Sequence, residues 1–223
     1  NTPLTGINTL SCNFMPDKDM DDYMKLVSMY NTWADENYPN SQSAWIFIPT
    51  FFENRDHDFY WVGASPSWLE AAQNIDIWMK NGSDLAKKFQ KVVDCDQSQL
   101  WIGRTIFASE NFEDSPSGIV GVQSCKIHAD KSMSDIGRAS KQIEQIVMDA
   151  GLTNRAVFRW QPRGGVDRSK MDFLNLFANE TMEQRVRNGQ MLSEAQAWPK
   201  IRGINDSVNS CQSLGMLRYI KVR

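Results

Sequence analysis

Ser11-Cys12, followed by Asp17-Lys18 and Met20, returns 113 positions later as Ser124-Cys125, followed by Asp130-Lys131 and Met133. Asp58-Phe59 with Ala64 returns as Asp172-Phe173 with Ala178 at an offset of 114, and Cys95 returns as Cys211 at an offset of 116. So small a drift across a whole unit is the signature of a duplicated domain with modest loop changes. The 223 residues then divide into two units of roughly 110. We read residues 1–110 as the first unit and 119–223 as the second. Residues 111–118, rich in Ser, Pro, Asp and Gly, are the linker.

Each unit reads strand–helix–strand–strand–helix–strand. In the first, Gly6 to Phe14 is an apolar, β-rich run ended by Pro16. Met20, Tyr23, Met24, Val27, Tyr30, Trp33 and Ala34 then recur at helical spacing and form one apolar face. Asp19, and Ser132 with Asp135 in the copy, suit N-caps, and Ser67-x-x-Glu70 and Thr181-x-x-Gln184 suit capping boxes. Ala44–Ile48, Asp58–Ala64 and Leu100–Phe107 complete the strands, with a polar turn over Glu53-Asn54-Arg55-Asp56-His57. The second unit predicts strands at 119–125, 155–160, 171–178 and 214–222, and a helix at 132–150. Its other helix, from Thr181, is expected to break around Trp198-Pro199 and Gly203, because proline lacks the donor and clashes with the preceding turn.

A βαββαβ order is the ferredoxin-like unit. Right-handed crossovers give it an antiparallel sheet with strands in the order 4-1-3-2. The end of strand one then lies opposite the start of strand four, where Cys12 and Cys95 stand in one unit and Cys125 and Cys211 in the other. Four cysteines allow three connectivities, and duplication and topology both favour Cys12–Cys95 with Cys125–Cys211. Their separations of 83 and 86 residues are unlike the short spacing of a metal site. Disulfides persist in oxidising compartments, so a secreted or periplasmic protein is expected. The start at Asn1-Thr2-Pro3 without Met suggests an N-terminus that is either processed or trimmed. The alternative is four reduced, buried thiols in a cytosolic protein.

Two such units in one chain resemble the dimeric α+β barrel superfamily in its fused form, over about residues 4–223. The resemblance implies an α+β fold of two tandem ferredoxin-like βαββαβ units packed as a pseudo-dimeric α+β barrel flanked by helices. Members include cofactor-free monooxygenases, muconolactone isomerases, haem enzymes and plain binding or stress proteins, so the resemblance does not choose a function.

Composition excludes some partners. Net charge is -3, with both signs interspersed and no basic stripe, so nucleic acid has no electrostatic footprint to hold. No apolar stretch approaches the ~20 residues that span a bilayer. Nucleophile elbow, P-loop, dinucleotide fingerprint and HExxH are absent. Asn81, Asn179 and Asn205 begin glycosylation sequons, which matter only in a eukaryotic secretory setting.

The candidate chemistry is sparse. His57 and His128 are the only histidines, and neither is duplicated. Haem members of the superfamily carry their axial histidine on a helix, and neither of these falls clearly on one, so no haem, metal or other cofactor is expected. Trp45, Phe47, Tyr60, Trp61, Phe158 and Trp160 lie on inner strands. Alternation sends Tyr60 with Val62 to one face and Trp61 with Gly63 to the other. They fill two cores or wall a pocket for a planar or apolar ligand. Arg159 interrupts an apolar strand and Asn175 replaces Trp61 in the copy. A buried arginine needs a partner, either an acid such as Asp172 or the anionic group of a ligand.

The expected function is therefore a small-molecule-binding protein or cofactor-independent enzyme, with its pocket between sheet and helices of the second unit. Arg159 would anchor a small anionic or aromatic ligand, Trp160 would stack on it, and Asn175 or His128 would hydrogen-bond it. The alternative is a non-catalytic assembly protein that self-associates through edge strands or exposed aromatics.

Overall fold

The computed structural model describes residues 4–51, 56–109, 112, 115–152 and 154–223. Glu53, Asn54 and Arg55 of the expected turn, and Asn111, Glu113 and Asp114 of the expected linker, lie outside the described residues. The first half runs β1 (Thr5–Phe14), α1 (Met20–Asn37), β2 (Ser43–Phe51), β3 (Phe59–Ser65), α2 (Trp68–Asn81), α3 (Ser83–Phe89) and β4 (Val93–Ala108). The second runs β5 (Ser117–Ile127), α4 (Met133–Asp149), β6 (Arg155–Gly164), β7 (Phe173–Asn179), α5 (Met182–Glu194), α6 (Ala197–Asp206) and β8 (Asn209–Lys221).

The helices begin where side chains satisfy the free amides of the first turn. Asp19 Oδ1 accepts from the Asp22 N–H at 3.1 Å, Ser67 Oγ from Glu70 at 3.2 Å, and Thr181 Oγ1 from Gln184 at 3.0 Å. Ser132 and Asp135 form a reciprocal capping box. Tyr23, Val27, Tyr30 and Ala34 are the buried stripe of α1.

All strand pairs are antiparallel, and the strands close into one barrel in the order β1-β3-β2-β8-β5-β7-β6-β4. Within each half the order is 4-1-3-2. The halves join where β2 pairs with β8 and β4 pairs with β6. Every strand therefore has a neighbour on both sides, which corrects the expectation of edge strands available for self-association. The strand pleat sorts side chains into two layers. Ile7, Val62, Trp101, Val120, Trp160 and Leu176 pack inside the barrel, while Ala44, Ile46, Phe59 and Trp61 pack outward beneath α1, α2 and α3.

Cys12 pairs in register with Cys95, and Cys125 with Cys211, and both pairs are bonded, with Cα atoms 4.0 and 4.1 Å apart. The fourth strand of each half begins earlier than its apolar residues suggest. Asp94 to Gln99 is polar, yet it pairs with β1 because the ladder is made by backbone groups.

The helix following Thr181 breaks before the predicted place. Gln196 adopts a left-handed conformation (φ 51°) between α5 and α6. Pro199 stands in the first turn of α6, where its missing N–H removes no intrahelical bond, and Gly203 lies within that helix. In the first half the break instead falls at Gly82, the C-cap of α2, where a Cβ would collide with the Trp78 indole.

Candidate functional site

A cavity of about 300 Å³ lies between the outer face of the first-half sheet and helices α1 to α3. Its walls are aromatic: Trp61 from β3, Tyr23 and Tyr30 from α1, Trp78 from α2 and Phe89 from α3. Tyr30 is edge-on to both Trp61 (5.3 Å) and Trp78 (5.8 Å). Polar groups are placed around these rings. The Tyr30 hydroxyl donates to Gln42 Oε1, and the Tyr38 hydroxyl stands 3.4 Å from it. Burial, then the neighbouring Tyr38, holds the Tyr30 phenol well above the usual tyrosine range. Burial does the same for Tyr23.

Asn74 is the unusual residue. It falls on the face of α2 that carries Ala71 and Trp78, and it is 1% exposed. Its Nδ2 donates to Ser65 Oγ at 3.3 Å, while its Oδ1 has no partner among the described residues. A polar residue at a core-facing helical position is the signal that the sequence carries for it.

In the second half Arg159 and Asn175 meet on the same outward face, under α4. The Arg159 Nε donates to Asn175 Oδ1 at 2.9 Å, its Nη2 donates to Ser140 Oγ on α4 at 3.0 Å, and its guanidinium lies 4.7 Å from the centre of the Phe173 ring. No carboxylate pairs with it among the described residues. Asp172, the acid expected to do so, instead accepts from Lys126 and from the Ile127 N–H. Burial, reinforced by Arg104 across the strand pair, lowers the Arg159 pKa to about 10. Ser140 joins the group from α4, a separate element with no sequence pattern linking it to Arg159.

The other two residues expected in this group lie elsewhere. Trp160 points to the opposite face of β6, into the barrel, where Trp45, Phe47 and Phe158 also face a cavity. His128 is at the surface beyond β5, with Nε2 3.1 Å from Ser210 Oγ. His57 is buried at 8% exposure, with Nε2 2.9 Å from Asp96 Oδ1. Neither histidine is on a helix or lines either cavity, so the residues present do not fit a histidine-ligated haem. Among the sequon asparagines, Asn81 is exposed, whereas Asn179 is buried within β7.

No protein-family model and no curated protein matches the chain. Solved structures match it over nearly their whole length. One is a candidate chlorite dismutase, with TM-score 0.61 and 11% identity over 99% of this chain and 96% of that one. Another is a candidate monooxygenase from Fusobacterium nucleatum, with TM-score 0.60 and 11% identity over 100% and 93%. A third is a doubly substituted chlorite dismutase from Candidatus Nitrospira defluvii, with TM-score 0.58 and 11% identity over 99% and 92%. Identity this low makes the likeness one of fold.

Proposed function

We propose that this chain, which has the fold of the dimeric α+β barrel superfamily, is a small-molecule-binding protein. Its ligand is planar and aromatic, bears a hydrogen-bond donor, and sits between sheet and helices of the first half. The observation that carries this reading is that Asn74, whose buried Oδ1 has no partner among the described residues, is one of the residues lining an aromatic cavity. An unsatisfied buried acceptor costs about 1–3 kcal/mol, and a ligand N–H or O–H directed at it removes that cost. The test is titration with 2-naphthol, followed by quenching of Trp61 and Trp78 fluorescence. Ala86→Trp, which fills the cavity, should abolish binding, and Asn74→Leu should weaken it by about tenfold, or ~1.4 kcal/mol. Equal affinity in wild type and both variants rejects the site.

A second reading places an anion in the second half, where the buried Arg159 guanidinium bonds, among the described residues, only the neutral Asn175 and Ser140. Sulfate would be held by the fork of Arg159. It should then raise the melting temperature of the wild type and leave Arg159→Met unmoved. An identical rise in both removes Arg159 from any anion site.

The wider proposals rest on the same frame. Residues 1–110 and 119–223 are two ferredoxin-like copies of one fused unit, supported by the shared 4-1-3-2 order. Secretion or a periplasmic location is supported by the two disulfides, and no helix among the described residues is long and apolar enough to cross a membrane. Cell fractionation tests it, and recovery only in the cytosol would sink it. Self-association, if used, must employ exposed side chains such as Trp198 on α6 and Leu69 and Met79 on α2. Light scattering that stays monomeric at all concentrations removes it.

A further inference from the structure

The barrel has its own cavity, on the opposite face of the sheet from the layer occupied by α1 to α3. Eight strands enclose an interior just wide enough for side chains to fill or for one small ligand to occupy. Here the two ends differ. Trp101, Val122, Leu174 and Leu217 fill one end. At the other, several inward positions are small: Ala156 faces Ala178 across β6 and β7, Ala178 faces Val120 across β7 and β5, and Ala64 faces Ile7. The result is a cavity of about 410 Å³ that opens at that end, within the range of small-ligand sites.

Its chemistry is apolar. Trp45, Phe47, Phe158, Trp160 and Tyr219 supply the walls, with Phe47 and Trp160 stacked at 6.4 Å. Strand alternation turns only hydroxyls towards it from the polar residues, those of Thr5, Thr105 and Tyr219. Arg104 borders the space, but it is paired in register with Arg159, whose side chain faces outward, and it turns the same way. Lys221 lies over the Trp45 ring at 5.8 Å and does not line the cavity. A charged ligand would thus be desolvated with no partner. An apolar space of this size left empty forfeits dispersion contacts on all its walls, and such cavities take up apolar molecules readily.

We infer that the open end of the barrel is a second binding site, for one neutral, apolar aromatic molecule stacked between Phe47, Phe158 and Trp160, with any hydroxyl it carries directed to Thr105. This site does not depend on the cavity beneath α1 to α3, and either can fail without the other.

Naphthalene, neutral, fluorescent and without the hydrogen-bond donor that the cavity beneath α1 to α3 calls for, is the probe. It should bind the wild-type chain, and Ala178→Phe, which fills the space, should weaken binding by at least about tenfold. Ala86→Trp, on α3 against the other face of the sheet, should leave it unchanged. In wild-type protein labelled with 5-fluorotryptophan, the probe should shift the resonances of Trp45 and Trp160 and spare Trp61 and Trp78. That measurement decides the matter even if Ala178→Phe fails to fold. Absence of binding, loss of binding in Ala86→Trp alone, or shifts confined to Trp61 and Trp78 would overturn the assignment.

Discussion

Arg159 and Asn175 face each other across β6 and β7, and the guanidinium Nε donates to the amide Oδ1 at 2.9 Å. With Ser140 on α4 accepting from the same guanidinium, the arginine ties a helix to two strands. The bonds are made to neutral groups, so they offset the cost of burying a cation only in part.

Arg159→Ala should therefore destabilise the fold by about 2–4 kcal/mol, through lost packing on Phe173 and two stranded partners. Arg159→Met keeps much of the volume and removes the buried charge, so it should cost less than the alanine. Urea denaturation of the three proteins gives the order. Alanine and methionine variants of equal stability would mean that the side chain's packing contributes nothing.

The cysteine pairs set a second expectation. Each bond closes a loop of 83 or 86 residues, which in the chain-entropy model is about 4.5 kcal/mol of stabilisation. The native protein should yield no free thiol on titration. Replacing Cys12 and Cys95 together by alanine should lower the denaturation free energy by about 2–5 kcal/mol. A doubly substituted chain as stable as the parent would show that this bond constrains little in the unfolded state.

What the sequence discloses divides along physical lines. The pleat is a local rule, so Tyr60, Trp61 and Val62 could be assigned to alternate faces before any coordinates, and Val62 and Trp61 do lie in opposite layers. The cysteine register followed from topology for the same reason. Asp94 to Gln99 hid as a strand because a backbone ladder needs no apolar side chains. The expected group of Arg159, Trp160, Asn175 and His128 divides over two faces of the sheet and the surface. Adjacent residues on a strand, such as Arg159 and Trp160, cannot reach one ligand. The cavity beneath α1 to α3 was illegible for another reason. It depends on how α2 seats Asn74 against Ser65, a contact between separate elements.

That seating depends on Gly6. A Cβ there would fall within contact distance of Ala71 Cβ on α2, and 2.9 Å from the Ser67 carbonyl oxygen. Both obstacles belong to the start of α2, so the helix must move away from β1. Gly6→Ala should cost about 1–3 kcal/mol by overpacking. It should also weaken 2-naphthol binding, since α2 carries Asn74 and Trp78. Thermal melts and the fluorescence titration check the two effects. A variant as stable as wild type would mean that α2 shifts freely.

Buried phenols predict the alkaline limit of the fold. Tyrosine in an unfolded chain ionises near pH 10, whereas burial holds Tyr23 neutral well above that. Above about pH 10 the unfolded state releases a proton that the native state retains. Stability from this source is therefore complete below pH 10 and falls as pH rises. Arg155 and Arg159, each lowered to about 10 by burial, act in the opposite direction, because the native state releases their protons first. Comparison with Tyr23→Phe isolates the phenol. The Tyr23 hydroxyl has no hydrogen-bond partner among the described residues, so the variant should match wild type within about 0.5 kcal/mol at pH 7. It should then lose stability less steeply between pH 10 and 11.5. Denaturation curves collected across that range measure both slopes, and parallel slopes would mean that the Tyr23 phenol ionises in the native protein as it does in the open chain.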